Sequence, residues 1–294
     1  MYFIAGITGH VGGEAARQLL ARGKKVRTLA RTPDKANAFA KQGVEVRQGD
    51  LNDSAALASA LEGVEGAFLL MQPTMTPPPD FSDAKRSIAS YTEALKKTPV
   101  PRLVALSSMG SEKTEKIGNI TATSLMERAF SELPFPHAFV RAGSFYENYA
   151  GSLAGAKESG AYYSFQPVDF AFPVIGSEDI GKQVADLLLG HWSGKKIVEL
   201  GSLHTAKEMA AAVGKAIGRN VEARAVPREA WAQTLQGFGM PAGSTGPYEQ
   251  MMDSVNSGWI TFGVSGTEHV AATLTPEEFF ARVAKGGASA HGAH

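Results

Sequence analysis

Residues 6–13 read Gly6-Ile7-Thr8-Gly9-His10-Val11-Gly12-Gly13, and this stretch decides the fold. Its spacing is G-x-x-G-x-x-G. The apolar run Tyr2-Phe3-Ile4-Ala5 leads into it, and apolar residues at Val11, Ala15, Ala16, Leu19 and Leu20 follow at helical spacing. Strand, glycine turn, helix is the context in which such a spacing signals dinucleotide binding. Gly6 permits the turn off the strand. Gly9 lets the main chain approach a pyrophosphate, and Gly12 lets the helix pack close to the strand. The helix N-terminus then offers N–H groups and partial positive charge to the phosphates. The alternative is a structural turn in an α/β protein that binds nothing.

The next apolar run, Lys25 to Ala30, predicts the second strand. An NAD-specific site places an acid at its end for the ribose 2′-hydroxyl. Residues 24–33 contain no acid; they contain Arg31, followed by Thr32-Pro33 and Lys35. A guanidinium fork matches a phosphate, so Arg31 reads as a clamp for a 2′-phosphate. This favours NADP(H) over NAD(H) as cofactor. Thr32 is a helix cap and Pro33 a first helical residue, which brings Lys35 near Arg31. A solvated loop arginine is the plainer reading.

Composition narrows the classes further. The chain has 294 residues, 44% of them hydrophobic, which suits one large or two modest domains. Its 29 basic and 29 acidic side chains balance, with no basic block, so no nucleic-acid surface is expected. There is no cysteine, which excludes disulfides and thiolate chemistry. The seven histidines show no metal spacing within a predicted helix; His291 and His294 lie in a Gly/Ala tail. No metal is expected. No apolar run has membrane-spanning length and the first strand begins at residue 2, so the expected address is cytoplasmic.

Apolar strands then alternate with amphipathic helices: strands at 44–47, 66–71, 103–107 and 137–141, helices at 54–61, 83–97 and 121–133. This predicts an α/β fold, a doubly wound parallel sheet of the Rossmann type covered on both faces. After about residue 150 the pattern changes. A strand near Phe170 to Val174, a helix from 178 to 189 and a last sheet strand at 197–200 are expected. Capping boxes at Thr205-Ala206-Lys207-Glu208 and Thr275-Pro276-Glu277-Glu278 open two further helices. The expected division is a dinucleotide-binding domain over 1–150, with later strands from about 167–202 joining its sheet. A smaller, mostly α domain spans 151–166 and 203–286, and 287–294 is a flexible tail. The Gly- and Pro-rich stretch 236–248 reads as a mobile lid over the cofactor. The sequence leaves monomer and homodimer both open.

One piece of chemistry is missing. Short-chain dehydrogenases donate a proton from a Tyr placed four residues before a Lys. Here Tyr91, Tyr146, Tyr149, Tyr162, Tyr163 and Tyr248 are followed at that distance by Leu95, Ala150, Leu153, Gln166, Pro167 and Met252. Without that pair, Ser107 and Ser108 read as backbone-capping hydroxyls. A site with NADPH and no such donor suits an acceptor that takes hydride unaided, a quinone or a conjugated dye, with the protein supplying orientation and exclusion of water. The alternative is a non-catalytic dinucleotide sensor with a protein partner.

Further stretches carry a resemblance. They are Leu29 to Lys35, Gly43 to Leu51, Glu127-Arg128, Leu133 to Arg141, Phe145 to Tyr149, Asp179-Ile180-Gly181 and Gly218 to Val221. With the glycine turn, they make nearly the whole chain similar to the NmrA-like branch of atypical short-chain dehydrogenases. Within it the chain resembles NADPH-dependent quinone oxidoreductases of type 2 and triphenylmethane reductases. The resemblance implies that Gly6, Thr8, Gly9, His10, Val11 and Gly12 hold the pyrophosphate. It implies Arg31 and Lys35 at the 2′-phosphate and Asp50 and Leu51 at the adenine. Met71, Gln72 and Pro73 would line the nicotinamide ribose, and Arg141, Gly143, Ser144 and Phe145 the floor near the nicotinamide, with Ser107 counted among the cofactor-binding residues. Tyr146, Asn148, Tyr149 and Phe238 would face a small apolar or aromatic acceptor. Many members carry a Lys four residues before the Glu of that helix; here Thr123 stands there, and the quinone and dye reductases also lack that Lys. Plainer readings stand beside these. Asp50 could instead cap the following segment, Tyr146 and Tyr149 could be packing at the domain junction, Phe238, Trp259 and Phe262 read as core of the smaller domain, and His10 as a backbone contact rather than a catalyst.

Overall fold

The computed structural model describes residues 1–286 except Pro73 and Met75. The strands are β1 (Tyr2–Ile4), β2 (Val26–Ala30), β3 (Glu45–Gln48), β4 (Gly66–Leu70), β5 (Leu103–Ser108), β6 (His137–Ala142), β7 (Ser144–Phe145), β8 (Ala161–Ser164), β9 (Phe172–Ile175), β10 (Lys195–Leu200), β11 (Ser202–His204), β12 (Glu222–Ala225) and β13 (Glu268–Val270). The helices are α1 (His10–Ala21), α2 (Asn37–Ala40), α3 (Ser54–Leu61), α4 (Ser82–Lys97), α5 (Thr121–Ser131), α6 (Ser152–Ser159), α7 (Ser177–Leu189), α8 (Ala206–Ile217), α9 (Trp231–Gly237), α10 (Gly246–Asn256) and α11 (Pro276–Ala284).

Eight strands form one sheet in the order β3-β2-β1-β4-β5-β6-β10-β13, and every neighbouring pair is parallel. Strand order reverses between β1 and β4, and the carboxyl ends at such a switch point are where open α/β sheets take ligands. Alternate residues feed two cores. Ile4, Phe68, Val104 and Val140 pack with Ala15, Leu19, Ile180, Val184 and Leu188 of α1 and α7. Phe3, Leu69, Leu103 and Phe139 pack with Leu57, Leu61, Tyr91, Leu95, Met126 and Phe130 of α3, α4 and α5. The doubly wound fold expected from the sequence is therefore the fold observed.

The predicted capping boxes form: Thr205 and Glu208 close α8, and Thr275 and Glu278 close α11. A third core joins the smaller unit, where Tyr146, Tyr162, Phe172, Met209, Val213, Phe279 and Phe280 pack together. Segment 236–248 is held at Met240, which is buried with Trp231, Leu235 and Met252.

Two expectations need correction. Of the strands between 167 and 202, β10 joins the large sheet but β9 does not. The place beside β6 is taken by β10, in register from Lys195–His137 to Leu200–Ala142. β9 instead crosses the end of β6 and pairs with β7 and β11 in a three-stranded sheet. A Cβ on Gly143 would lie 2.6 Å from the Pro173 carbonyl oxygen, so glycine makes that crossing fit. Second, the sheet does not end at β10. β13, from the segment assigned to the lid, returns to pair with it; its three residues, Glu268-His269-Val270, carry too little apolar pattern to announce a strand. The smaller unit is mostly α, as expected, and adds a two-stranded parallel sheet, β8 with β12. The expected tail, 287–294, lies outside the described residues, as does Pro73.

Candidate active site

The glycine turn stands at the carboxyl end of β1. Gly6 has φ +63°, a left-handed conformation open to glycine. A Cβ on Gly12 would meet the carbonyl oxygens of Gly6 at 2.4 Å and Ala5 at 2.5 Å, so this residue sets the contact between α1 and β1. A Cβ on Gly9 would meet only the Gly6 oxygen, at 3.4 Å. The fold itself does not demand glycine there, and Thr8, Gly9 and His10 are exposed. Gly9 is the N-cap of α1 and, having no side chain, makes no side-chain cap bond. Val11 is buried against the sheet.

Arg31 follows β2 and is exposed, with no side-chain hydrogen bond or ion pair among the described residues. Lys35 is exposed in the short turn Pro33–Ala36, with Pro33 in its first turn as expected. β2 and β6 lie four strand spacings apart, about 19 Å. A ligand reaching from Arg31 to the end of β6 must therefore be extended. Asp50 accepts from the Asn52 amide at 2.9 Å, and the cap of α3 is Asp53. Leu51 turns its side chain into the core beside Leu29 and Leu57. Met71 is half-buried and Gln72 exposed.

At the ends of β5 and β6 lies a buried polar network. Ser107 and Arg141 are register partners. Glu127 of α5 answers both: it accepts from Ser107 Oγ at 2.6 Å, from Arg141 Nε at 2.9 Å and from Arg141 Nη2 at 2.7 Å. Glu112 stands 3.1 Å from Arg141 Nη1. Glu199, beside Arg141 on β10, accepts from the amides of Gly263 at 2.7 Å and Val264 at 3.3 Å. Burial works against the charge on Arg141, but the surrounding glutamates outweigh it and hold its pKa above the ordinary value. Ser107 is thus no backbone cap, contrary to expectation. Its proton goes to a carboxylate because α5 lays Glu127 across the strand ends. Glu127 lacked an assigned role in the sequence. Its signal was a carboxylate on the apolar stripe of α5, between Met126 and Phe130. Thr123, at the position where relatives carry Lys, bonds Ser111 Oγ at 2.8 Å and the Ile120 carbonyl at 2.9 Å.

Ser144 Oγ lies 2.8 Å from the Tyr149 hydroxyl. Burial pushes the Tyr149 phenol well above its ordinary pKa, against the opposing effect of Ser144. Phe145 is half-buried against the core under α1. Asn148 is exposed. Tyr146 does not face open space: it is 0% exposed, stacked on Phe279 at 5.4 Å between ring centres, because the following turn drives it into the third core. Phe238 is neither core nor enclosed; it ends α9 at 70% exposure. Trp259 is also exposed, its ring 4.3 Å from Lys113 Nζ, while Phe262 packs against the third core. Among the described residues no His, Asp or Glu cluster could hold a metal, and no helix is long and apolar enough to cross a membrane.

The comparisons agree with this architecture. The chain is 26% identical to quinone oxidoreductase 2 of Escherichia coli (strain K12) over 83% of its length and 84% of that protein's. It is 26% identical to the NAD(P)H azoreductase of Xenophilus azovorans over the full length of both. The solved structure of the E. coli quinone oxidoreductase complexed with NADPH superposes with a TM-score of 0.79 at 25% identity, covering 96% of this chain and 99% of that one. The pattern of the NmrA-like family matches residues 3–257. The chain belongs to the NmrA-like family.

Proposed function

We propose that this protein is an NADPH-dependent reductase that delivers hydride to a quinone-like or conjugated, apolar acceptor. The observation that carries this reading is the pairing of a glycine turn at β1–α1, whose N-cap residue has no side chain, with Arg31 at the end of β2, which has no ion-pair partner among the described residues. The first suits a pyrophosphate and the second a 2′-phosphate. The relatives support it: one is named a quinone oxidoreductase and another an NAD(P)H azoreductase.

The residues present fit the cofactor. The turn from Gly6 to Gly12 offers backbone N–H groups where a Cβ at Gly9 would stand between chain and ligand. Arg31, with Lys35 beside it, holds the 2′-phosphate. Asp50 and the backbone of Leu51 border the adenine, Met71 and Gln72 the ribose beyond. Bound NADPH supplies the hydride. The rest of the chemistry falls to orientation and exclusion of water. Ser107, Arg141 and Gly143 to Phe145 form the floor near the nicotinamide, and Asn148 and Tyr149 border the acceptor. Thr123 cannot relay a proton as a Lys would; hydride transfer to a quinone leaves a hydroquinone anion that takes its one proton from solvent, and transfer to a cationic dye gives a neutral product that needs none.

The test is oxidation of NADPH, followed by nicotinamide absorbance, with benzoquinone, a naphthoquinone, a triphenylmethane dye and a simple ketone, each repeated with NADH. Turnover on quinone or dye and none on the ketone, faster with NADPH, is expected. Tight NADP⁺ binding without turnover on any acceptor overturns the reductase reading and leaves a dinucleotide sensor.

A further inference from the structure

A hydroxyl has one proton and two lone pairs. The Ser107 proton is committed: Oγ donates to Glu127 Oε1 at 2.6 Å, and that carboxylate is itself clamped by Arg141 through two bonds. Glu127 can only accept, so it fixes the direction in which Ser107 points its hydrogen. Toward any further partner Ser107 can act only as an acceptor. All three side chains are buried, so water does not compete and the arrangement is rigid. Ser107 stands at the carboxyl end of β5, beside β6, on the side of the crevice away from Arg31.

An extended dinucleotide with its 2′-phosphate at Arg31 brings its nicotinamide to this end. The nicotinamide carries one strong donor, the carboxamide NH₂, which needs an acceptor. We propose that Ser107 Oγ accepts a hydrogen bond from the carboxamide NH₂, and that Glu127 is the positioning residue that makes Ser107 an acceptor. This contact selects the ring's orientation and hence the face presented to the acceptor. Arg141 holds Glu127 in place, which accounts for a guanidinium buried at the end of β6. The inference rests on the reductase reading above, since it needs a nicotinamide at this end of the sheet.

The experiment compares NADP⁺ with its 3-acetylpyridine analogue, in which a methyl replaces the carboxamide NH₂. Affinities are measured by calorimetry on the full chain, with melting temperatures in parallel. Wild-type protein is expected to bind NADP⁺ roughly fivefold to tenfold more tightly than the analogue, as one hydrogen bond supplies. Ser107→Ala is expected to weaken NADP⁺ by that factor, leave the analogue unchanged and so abolish the preference. Glu127→Ala removes the acceptor that fixes the Ser107 proton and should shrink the preference too; if that variant does not fold, Ser107→Ala alone decides. Loss of discrimination is a readout that mere destabilisation does not produce. A preference retained in Ser107→Ala, or both ligands weakened equally, overturns the inference while the reductase reading stands. A wild-type protein that binds neither dinucleotide overturns both.

Discussion

Glu127 and Arg141 meet through two parallel hydrogen bonds of 2.9 and 2.7 Å inside the protein, joining α5 to β6 at the end of the sheet that faces the crevice. Such a fork is geometrically demanding, and it is costly to break on one side. Glu127→Ala leaves a buried guanidinium with Glu112 as its ion-pair partner and Glu199 nearby, but without its two-bond fork. It is expected to lower the unfolding free energy by about 3–5 kcal/mol. Urea denaturation measures this, and a change under about 1 kcal/mol contradicts the buried ion pair.

Arg31 is exposed and has no ion-pair partner among the described residues, so its loss should leave the fold intact. Arg31→Ala is expected to lower kcat/KM for NADPH by roughly tenfold or more, the scale of a charged hydrogen bond. The value for NADH should stay within about twofold, since no 2′-phosphate is there to lose a partner. Steady-state kinetics with both cofactors checks this, and an equal loss for both removes Arg31 from the 2′-phosphate.

The two glycines of the turn should separate folding from binding. Gly12→Ala forces a Cβ to 2.4 Å from the Gly6 carbonyl oxygen and is expected to cost about 3 kcal/mol of stability. Gly9→Ala meets only an oxygen at 3.4 Å and should melt close to wild type. It should nevertheless weaken NADP⁺ binding, because the new methyl stands where the pyrophosphate approaches. Thermal melting beside calorimetric titration distinguishes the two.

Tyr91 is buried in the core, and burial, with Asp50 adding to it, raises its pKa from 10 to about 12. Below pH 10 the folded and unfolded chains both keep the proton, and the full stability is present. Above pH 10 the unfolded chain releases it while the folded chain does not. Stability should therefore fall by about 1.4 kcal/mol per pH unit between the two values for this group. Tyr146, Tyr149 and Tyr162 are shifted upward by burial as well and act with the same sign. Urea melts from about pH 8 to 11 should show the decline, and Tyr91→Phe should make it shallower. An unchanged slope in that variant removes Tyr91 from the effect.

Much of this molecule is written in short-range patterns. The strand, glycine turn and helix of residues 2–21 need only neighbours within a few positions, so their reading carried directly into the fold. The same holds for the alternating strands and helices as far as β6, for both threonine capping boxes, for the proline-led turn after Arg31 and for the absence of a Tyr–Lys pair. These features are set by propensity, periodicity and local hydrogen bonds, which a sequence states openly. Tertiary structure decided what depends on distant partners. It set β9 across the end of β6 rather than beside it, and brought Glu268–Val270 back to the sheet edge. It sealed Tyr146 against Phe279 and left Phe238 outside. Above all, it laid Glu127 between Ser107 and Arg141, which stand 20 and 14 residues from it in the chain. A charge in a strand announces that it needs a partner. Only the packing of α5 on the sheet says which carboxylate answers, because that choice is made by the geometry of two surfaces meeting and not by the spacing of residues along the chain.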